Sequence, residues 1–340
     1  MTKISVVIPT RNRAKRMIDA LSTLEKQILQ PSEIIVVDSS DDTSYHHTLS
    51  EKFPALPLKW ITSVPSVCIQ RNLGIRQASC EWILLCDDDI ELDPNYLDAL
   101  VNHIIRNPDC GALAGRLMQK EHGAWTCEYP VKNFYDLIWR FFFQHSIWGG
   151  LDRIKISTWQ RPMFTFLKKW YSKRENTMTT AGWPLITDWS GDHFCTKFYS
   201  LGANLILRDW LLRSPYDEVL DPSGIGDNYG VACGFPGYLP VHVLAATHAY
   251  HHRAEENRIA RKLSHYRRTL ALHYFLKRNN APMTRLWFRW SLFGKILAYL
   301  FKRDWELLTA TIKAMGLISI GLNPYWTGYR KGRKVVRPLC

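Results

Sequence analysis

The chain has 340 residues, of which 46% are hydrophobic, so general disorder is excluded and one large domain, or a domain with an appendage, can form. Its net charge of +13 at pH 7 is unevenly distributed. From residue 253 onward there are 19 Lys and Arg against 4 Asp and Glu, a net charge of +15, which leaves −2 for residues 1–252. This asymmetry predicts an anionic partner for the C-terminal quarter, either a membrane surface or nucleic acid.

In the first half of the chain, apolar runs alternate with helical patterns. The runs predict strands at residues 4–9, 33–38, 58–61 and 82–86. Apolar residues at helical spacing predict a helix over 14–29, which ends at Gln30 and Pro31, and a second helix is expected over 67–78. This β-α-β-α-β order, with polar residues after each strand, predicts a parallel sheet covered by helices. Since no G-x-G-x-x-G follows the first strand, an ordinary dinucleotide-binding site is not expected.

Three consecutive carboxylates, Asp87, Asp88 and Asp89, follow the strand predicted at 82–86. Because acids do not belong inside a buried strand, we place them at its C-terminal tip, the edge at which open parallel sheets bind ligands. Adjacent carboxylates repel one another unless a cation neutralises them, and oxygen ligands suit Mg²⁺ or Mn²⁺ together with a diphosphate. The alternative is a solvated acidic turn before a helix that begins near Pro94.

Four motifs, in their order and spacing, resemble those of family 2 glycosyltransferases with the GT-A fold: "ISVVIPTRNR", "IIVVDSSDD", "QRNLGIRQA" and "WILLCDDDIELDPNYL". The resemblance continues more loosely through "GANLILRDWLLRSPYDEVL" and "GIGDNYGVACGF" to "THAYHH", and covers roughly residues 3–252. It implies an α/β fold with a GT-A Rossmann-like, mainly parallel sheet flanked by helices, followed by a basic, aromatic helical extension. We expect a catalytic domain at 1–252, with a nucleotide-binding half at 1–118 and an acceptor half at 119–252, and a membrane-associating tail at 253–340.

The resemblance also assigns roles to single residues. Nucleotide-sugar binding is implied for Pro9, Thr10, Arg11, Asp38, Arg71, Asn72, Asp87 and Asp88. Ser39 stands where the family often has a second acid, which leaves the nucleobase open. A divalent cation, Mn²⁺ or Mg²⁺, is implied at Asp87 and Asp89, the outer members of the D-x-D pattern. One histidine of "THAYHH" would assist; we favour His248 over His251 and His252, and the start of a surface helix is the alternative.

The late E-D pair of the family, which carries its catalytic base, falls at Gly226 and Asp227, so only the acid remains. Asp192 in "DWSGDHF" is the rival base, and a turn acid in a Gly-rich loop is the alternative interpretation of Asp227. One carboxylate within hydrogen-bond reach of the acceptor hydroxyl is enough for inversion, whereas a covalent route needs a second carboxylate near the anomeric carbon.

The function that the resemblance implies is an inverting, metal-dependent transfer of a sugar. The donor is a nucleotide-diphosphate sugar, and the acceptor is a hydroxyl of a glycan or a polyprenyl-linked glycan in cell-surface polysaccharide synthesis. One rival is a nucleotidyltransferase, although no Gly-rich phosphate loop follows the first strand. The other is a non-catalytic nucleic-acid-binding protein, in which the acidic triplet would repel phosphate. We therefore expect no nucleic-acid partner.

Basic and aromatic residues are interleaved over 284–313, a composition typical of a helix that lies on an anionic leaflet. We expect a cytoplasmic enzyme attached peripherally to the inner face of the cell membrane, and a helix packed on the catalytic domain is the alternative. The aromatic stretch 134–170 is either ordinary core or an insertion that shapes an acceptor site or touches lipid.

The cysteines and the apolar stretches bear on the compartment. The eight cysteines form no C-x-x-C pair and no zinc spacing, which indicates a reducing compartment. Residues 1–4 enter a strand directly, so no signal peptide is expected. No transmembrane helix is expected either, because the stretch that comes closest, 314–329, contains Gly316, Gly321, Asn323 and Pro324.

Overall fold

A ten-stranded mixed sheet forms the centre of the computed structural model, which describes residues 2–220, 222–253 and 259–330. The strands of this sheet are β1 (Ile4–Thr10), β2 (Glu33–Asp38), β3 (Leu58–Thr62), β4 (Trp82–Cys86), β5 (Ile90–Leu92), β6 (Ala112–Glu121), β7 (Ala124–Thr126), β10 (His193–Thr196), β11 (Ala203–Leu207) and β12 (Val241–His251). A separate parallel pair comprises β8 (Ile147–Trp148) and β9 (Leu185–Ile186). The main path across the large sheet is β10-β12-β6-β11-β4-β1-β2-β3, with β5 on β12 and β7 on β6.

Helices cover both faces of this sheet. They are α1 (Ala14–Glu25), α2 (Tyr45–Lys52), α3 (Val67–Gln77), α4 (Tyr96–Arg106), α5 (Phe134–Phe142), α6 (Arg161–Ser172), α7 (Arg208–Arg213), α8 (Asp227–Cys233), α9 (Arg261–Arg278), α10 (Pro282–Phe301), α11 (Trp305–Ser319) and α12 (Pro324–Arg330). Neighbouring residues of a strand point to opposite faces. Val6 therefore packs in the cluster that contains α1, α2 and α4, whereas Val7 packs in the cluster that contains α3, α8, α9 and α10.

The mainly parallel, helix-flanked sheet predicted from the sequence is confirmed. β1 to β4 pair in parallel, and β11 is inserted antiparallel between β4 and β6. Helix α1 ends at Glu25 instead of continuing to residue 29, because Ile28 leaves the helical path and donates its N–H to the carbonyl of Pro94. Helix α2 was not predicted, since Leu49 is its one fully buried residue and its sequence has little apolar periodicity.

The C-terminal helices pack into the same core as the sheet. Phe288 and Leu292 of α10 are completely buried, in one cluster with Val7 of β1 and Phe275 of α9. The division predicted at residue 252 therefore does not coincide with a break in the packing. The predicted tail residues 331–340 lie outside the described part of the chain.

One C-terminal segment has the length and composition of a membrane span, although the sequence analysis expected none. Trp305–Arg330 reaches a mean hydropathy of 1.3, and a third of its most apolar window is buried in the protein. The helix is interrupted between Ser319 and Pro324. There the buried Asn323 donates a side-chain hydrogen bond to the carbonyl of Leu270. This interruption falls among the Gly, Asn and Pro residues that argued against a span.

The aromatic stretch 134–170 divides between the two alternatives. Phe134, Leu137 and Leu167 form a small core of their own with β8 and β9. Phe142, Trp159 and Phe166 are exposed. The stretch is therefore partly core and partly surface.

Candidate active site

The acidic triplet forms the turn between β4 and β5, at the C-terminal end of β4. All five residues of β4 are buried, so the turn is held firmly in the sheet. Asp88 is buried and accepts hydrogen bonds from Thr10 Oγ1 and Arg13 Nη1, both at 2.7 Å. Burial raises the pKa of Asp88 to about 6, although Arg13 and Thr10 oppose this rise. The loop after β1 and the triplet thus form one structural unit.

Asp89 has a histidine beside it. Its Oδ1 lies 3.4 Å from Nε2 of His251, and its Oδ2 lies 4.0 Å from Nη1 of Arg13. A carboxylate and an imidazole on the edge of an open cleft are a donor set that suits Mn²⁺, with phosphate oxygens completing the coordination. The residues present therefore fit the divalent cation that the family resemblance implies.

The histidine at this position is His251, and not His248, which the sequence favours. All of "THAYHH" except its last residue, His252, belongs to strand β12, and the motif does not start a helix. Residues three apart in a strand point to opposite faces. His248 consequently turns away from the triplet, and its Nδ1 lies 3.0 Å from Asp93 Oδ2. His252 pairs with Glu91 at 2.7 Å.

Arg71 of α3 links two carboxylates from distant parts of the chain. Its Nη2 donates to Asp87 Oδ1 at 2.7 Å, and its Nη1 donates to Asp227 Oδ2 at 2.5 Å. Burial raises the pKa of Asp227 to about 6, although Arg71 opposes this rise. Gly202 allows the approach of Asp87, because a Cβ at this position would lie 2.6 Å from Asp87 Oδ2. Asp227 is therefore joined to the acidic turn through one buried guanidinium.

Two clefts meet beside this bridge. The first, which we call the cationic cleft, is lined by Asp88, Asp89, His251 and five arginines: Arg11, Arg13, Arg253, Arg267 and Arg268. The second, which we call the aromatic cleft, is lined by Asp227 and by Tyr129, Trp148, Trp183, Tyr199 and Tyr229. Arg268 of α9 lines both clefts. The segment that comprises the loop at 222–226 and the start of α8 runs from the first cleft, at Pro222, to the second, at Asn228.

Among the residues predicted from sequence, the structure brings Pro9, Thr10, Arg11, Arg71, Asp87, Asp88, Asp89 and Asp227 together. It does not bring Asn72 or Asp192 to this place, whereas Asp38 at the end of β2 lies beside Thr10. The Asp38 carboxylate is fully buried and is already bonded to Ser40, Tyr45 and His46. Asn72 clamps the backbone of Tyr216, and Asp192 lines a different cavity with His103. Asn72 therefore holds the loop at Tyr216, and Asp192 lies apart from the carboxylate cluster.

Four arginines and one glutamine of the cationic cleft are not among the residues predicted from the sequence: Arg13, Arg253, Arg267, Arg268 and Gln70. Arg13 and Gln70 lie inside the motifs "ISVVIPTRNR" and "QRNLGIRQA", and Gln70 donates to the carbonyls of Thr10 and Val37. Arg267 and Arg268 come from α9, which was interpreted as a membrane tail. The motifs could have indicated the first pair, but only the packing of α9 reveals the second.

Residues 5–150 match the family model for glycosyl transferase family 2. Over 104 residues the chain is 32% identical to an uncharacterized glycosyltransferase, YwdF, of Bacillus subtilis (strain 168), an alignment that covers 30% of this chain and 38% of that protein. Over 232 residues it is 22% identical to a chondroitin synthase of Escherichia coli, covering 66% of this chain and 31% of the synthase. The chain thus spans about a third of the length of these curated relatives.

Two solved structures share the fold. TarS of S. aureus, residues 1–349 in complex with UDP-GlcNAc, gives a TM-score of 0.53 at 13% identity and covers 98% of this chain and 93% of its own. GalNAc-T7 with UDP, GalNAc and Mn²⁺ gives a TM-score of 0.52 at 11% identity and covers 82% of this chain and 48% of its own. These identities are too low to carry more than the fold. Residues 5–150 thus resemble glycosyl transferase family 2, and the chain shares the GT-A fold of these solved glycosyltransferases.

Proposed function

We propose that the protein is an inverting glycosyltransferase that moves a sugar from a nucleotide-diphosphate sugar to a hydroxyl of a glycan or lipid-linked acceptor. The observation that carries this proposal is the Arg71 bridge, which joins the acidic turn to Asp227 where the cationic and aromatic clefts meet. A transferase of two substrates needs such a junction, with a cationic pocket for the donor phosphates and a carboxylate that faces the acceptor.

The cationic cleft supplies the donor side of the reaction. Arg13, Arg267 and Arg268 offer guanidinium groups that suit diphosphate oxygens. A divalent cation held by Asp89 and His251 would neutralise the charge that develops on the leaving diphosphate. UDP-GlcNAc in TarS and UDP with Mn²⁺ in GalNAc-T7 support a nucleotide-sugar donor and a divalent metal for this chain. Arg13 also fixes Asp88 and so holds the acidic turn against the loop after β1.

The aromatic cleft supplies the acceptor side. Trp148, Tyr199 and Tyr229 provide apolar faces on which sugar rings can stack, while Asp227 is positioned to accept the proton of the attacking hydroxyl. Next to Asp227, the buried Oδ1 of Asn228 has no hydrogen-bond partner within the described structure. A hydroxyl of the acceptor would satisfy this oxygen. The similarity to a chondroitin synthase supports a polysaccharide acceptor.

The rival functions find less support in the cleft. A nucleotidyltransferase would need a Gly-rich loop whose amides cradle the triphosphate, whereas the loop after β1 carries side-chain cations. A nucleic-acid-binding protein would present its basic residues outward. Two arginines of the basic tail, Arg267 and Arg268, line the cleft beside the carboxylates instead.

The function can be tested with the purified chain and a panel of UDP-, dTDP- and GDP-sugars, each with Mn²⁺ and with EDTA. We expect release of the nucleoside diphosphate from one donor class, and only with the metal. Transfer of a nucleotide to an acceptor, with release of sugar phosphate or pyrophosphate, would support the nucleotidyltransferase instead. Turnover of no donor under either condition would contradict the proposal.

We further propose that the enzyme attaches to an anionic membrane surface at the cytoplasmic face. Four exposed phenylalanines from α5, α6 and α10, which we call the aromatic surface, support this: Phe142, Phe166, Phe293 and Phe301. Exposed cations stand one helical turn away on the same faces, with Lys169 three residues after Phe166 and Arg289 four residues before Phe293. Apolar side chains ringed by cations suit an interface with anionic lipid. Lys295, by contrast, lies over the ring of Trp183 and takes no part.

Liposome pelleting tests this attachment. Wild-type protein should pellet with anionic vesicles at low salt, and Phe301→Glu with Phe293→Glu should release it. Ile28→Glu is the matched control, because Ile28 is exposed on the opposite side of the sheet. Equal pelleting with neutral and anionic vesicles would contradict the electrostatic part of the proposal. If the protein pelleted with neither, membrane attachment would be wrong and the aromatic surface would be assigned to binding a protein partner.

A further inference from the structure

Three histidines from three elements converge near one edge of the sheet. They are His103 of α4, His193 of β10 and His242 of β12. Nε2 of His103 lies 3.0 Å from Nδ1 of His242. The rings of His193 and His242 stack, with centroids 5.4 Å apart and planes at 14°. One ring nitrogen of each histidine lies within 4.8 Å of the other two, so the three can face a common point.

These distances suit a tetrahedral metal ion. At bond lengths of about 2.0–2.1 Å from zinc to nitrogen, two ligand nitrogens are separated by roughly 3.3 Å. The pair of His103 and His242 already has nearly this separation. His193 is exposed, so its ring can rotate by a small amount to complete the set, whereas His103 is buried and fixed.

We propose that His103, His193 and His242 form a binding site for a zinc-class cation, separate from the carboxylate cluster. Three imidazoles and no thiolate favour Zn²⁺, Ni²⁺ or Cu²⁺ over Mn²⁺ and Mg²⁺, which prefer oxygen. Three protein ligands leave a fourth position for water or for Asp192, which lines the same cavity. Asp192, which the sequence offers as a rival base, would thus lie beside this cation and not beside the carboxylate cluster.

The ion would tie α4 to the edge strands β10 and β12. Of the three histidines only His103 is buried. Because the hydrogen bond between His103 and His242 is partly exposed, it contributes little by itself to holding α4 against β12. A metal that binds the folded state alone stabilises it. β12 also carries His251 at its far end, beside Asp89. The zinc-class ion would therefore stabilise a strand that reaches the carboxylate cluster, although the ion itself binds at the other end of that strand.

The test uses full-length protein stripped of metal and titrated with Zn²⁺ against a chromophoric chelator. Wild type should bind one equivalent at this site, and Asp89→Ala should retain it. His193→Gln should lose it, whereas His47→Gln, the same change at another exposed histidine, should not. In parallel, Zn²⁺ should raise the melting temperature of wild type and of His47→Gln, and should leave that of His193→Gln unchanged.

Because His193 is exposed, His193→Gln should fold, and its melting temperature without metal verifies this. Zinc that disappears in Asp89→Ala and persists in His193→Gln would place the ion at the carboxylates and overturn the proposal. Failure of wild type to bind any zinc more tightly than His193→Gln would reduce the cluster to a set of hydrogen-bonded histidines and would also overturn it. Neither outcome depends on glycosyl transfer.

Discussion

The first half of the sheet and the C-terminal helices reach the same core by different routes. β1 to β4 are short apolar runs that lie side by side in the order β4-β1-β2-β3. Helices α9, α10 and α11 carry most of the chain's basic excess, yet Phe288, Leu292 and Leu270 are completely buried against the sheet layer. Composition therefore indicates the location of the first region correctly and misplaces part of the second.

The difference matters because the cleft draws on both regions. The strand ends supply Thr10 and Asp89, and α9 supplies Arg267 and Arg268. If the cationic cleft binds a diphosphate, then a catalytic unit that ends at residue 252 lacks part of its donor site. The sharpest experiments are those that change one region and measure the other.

The largest effect is expected at the acidic turn. Asp89→Ala should reduce transfer by roughly 10³-fold or more, because the charge that develops on the leaving diphosphate loses its partner. Metal-dependent nucleotide binding should vanish, while the melting temperature without metal stays close to that of wild type. If the Asp89→Ala variant turned over at the wild-type rate in EDTA-treated buffer, that result would contradict the metal role of Asp89.

The next effect concerns Asp227. Asp227→Asn should reduce turnover by about 10²–10⁴-fold with little change in donor affinity, since the base faces the acceptor. A base must be ionised to accept a proton, and burial raises the pKa of Asp227 to about 6. The wild-type rate should therefore fall as pH drops through about 6 and level off above it, and the residual rate of Asp227→Asn should lack this step.

Asp192→Asn is the control for Asp227→Asn. Asp192 lines the cavity of the three histidines, so its substitution should leave turnover near the wild-type value. An inactive Asp192→Asn beside an active Asp227→Asn would show that the base has been placed wrongly.

The third effect is on the free energy of unfolding, and it compares two phenylalanines of the same helix, α10. Phe288→Ala removes a completely buried ring and should lower the free energy of unfolding by about 3–5 kcal/mol. Phe301→Ala changes a ring that is 75% exposed and should shift it by no more than about 0.5 kcal/mol. Urea unfolding measures both. Similar small losses for the two variants would mean that α10 is a detachable tail, as its composition suggested.

The same contrast explains which parts could be predicted from the sequence. The acidic turn follows from a local pattern, an apolar run that ends in three acids. The hydrogen bond from Arg71 to Asp227 joins residues 156 positions apart, and no spacing rule anticipates it. His251 could have been preferred over His248 if β12 had been recognised as a strand, because a period of two separates their faces.

Other contacts come from partners that only the fold provides. Asp38 ends β2 beside Thr10, as the sequence predicts, and Tyr45 and His46 of the unpredicted α2 bond its carboxylate. The three clustered histidines are spread between positions 103 and 242, too far apart for a metal-binding pattern. The sequence indicates that Lys295 is a cation on the surface. In the structure its ammonium lies 3.4 Å from the centre of the Trp183 ring, and burial lowers the pKa of Lys295 to about 7.

The measurement that tests the shared site most directly is Mn²⁺-dependent binding of a nucleoside diphosphate to wild type, Arg268→Ala and Arg289→Ala by calorimetry. Arg268 lines both clefts, whereas Arg289 is an exposed arginine of α10 outside them. Loss of one charge-assisted hydrogen bond should weaken binding to Arg268→Ala by about 10–100-fold, while Arg289→Ala should bind as wild type does. Equal affinities for all three proteins would contradict the claim that the C-terminal helices complete the donor site.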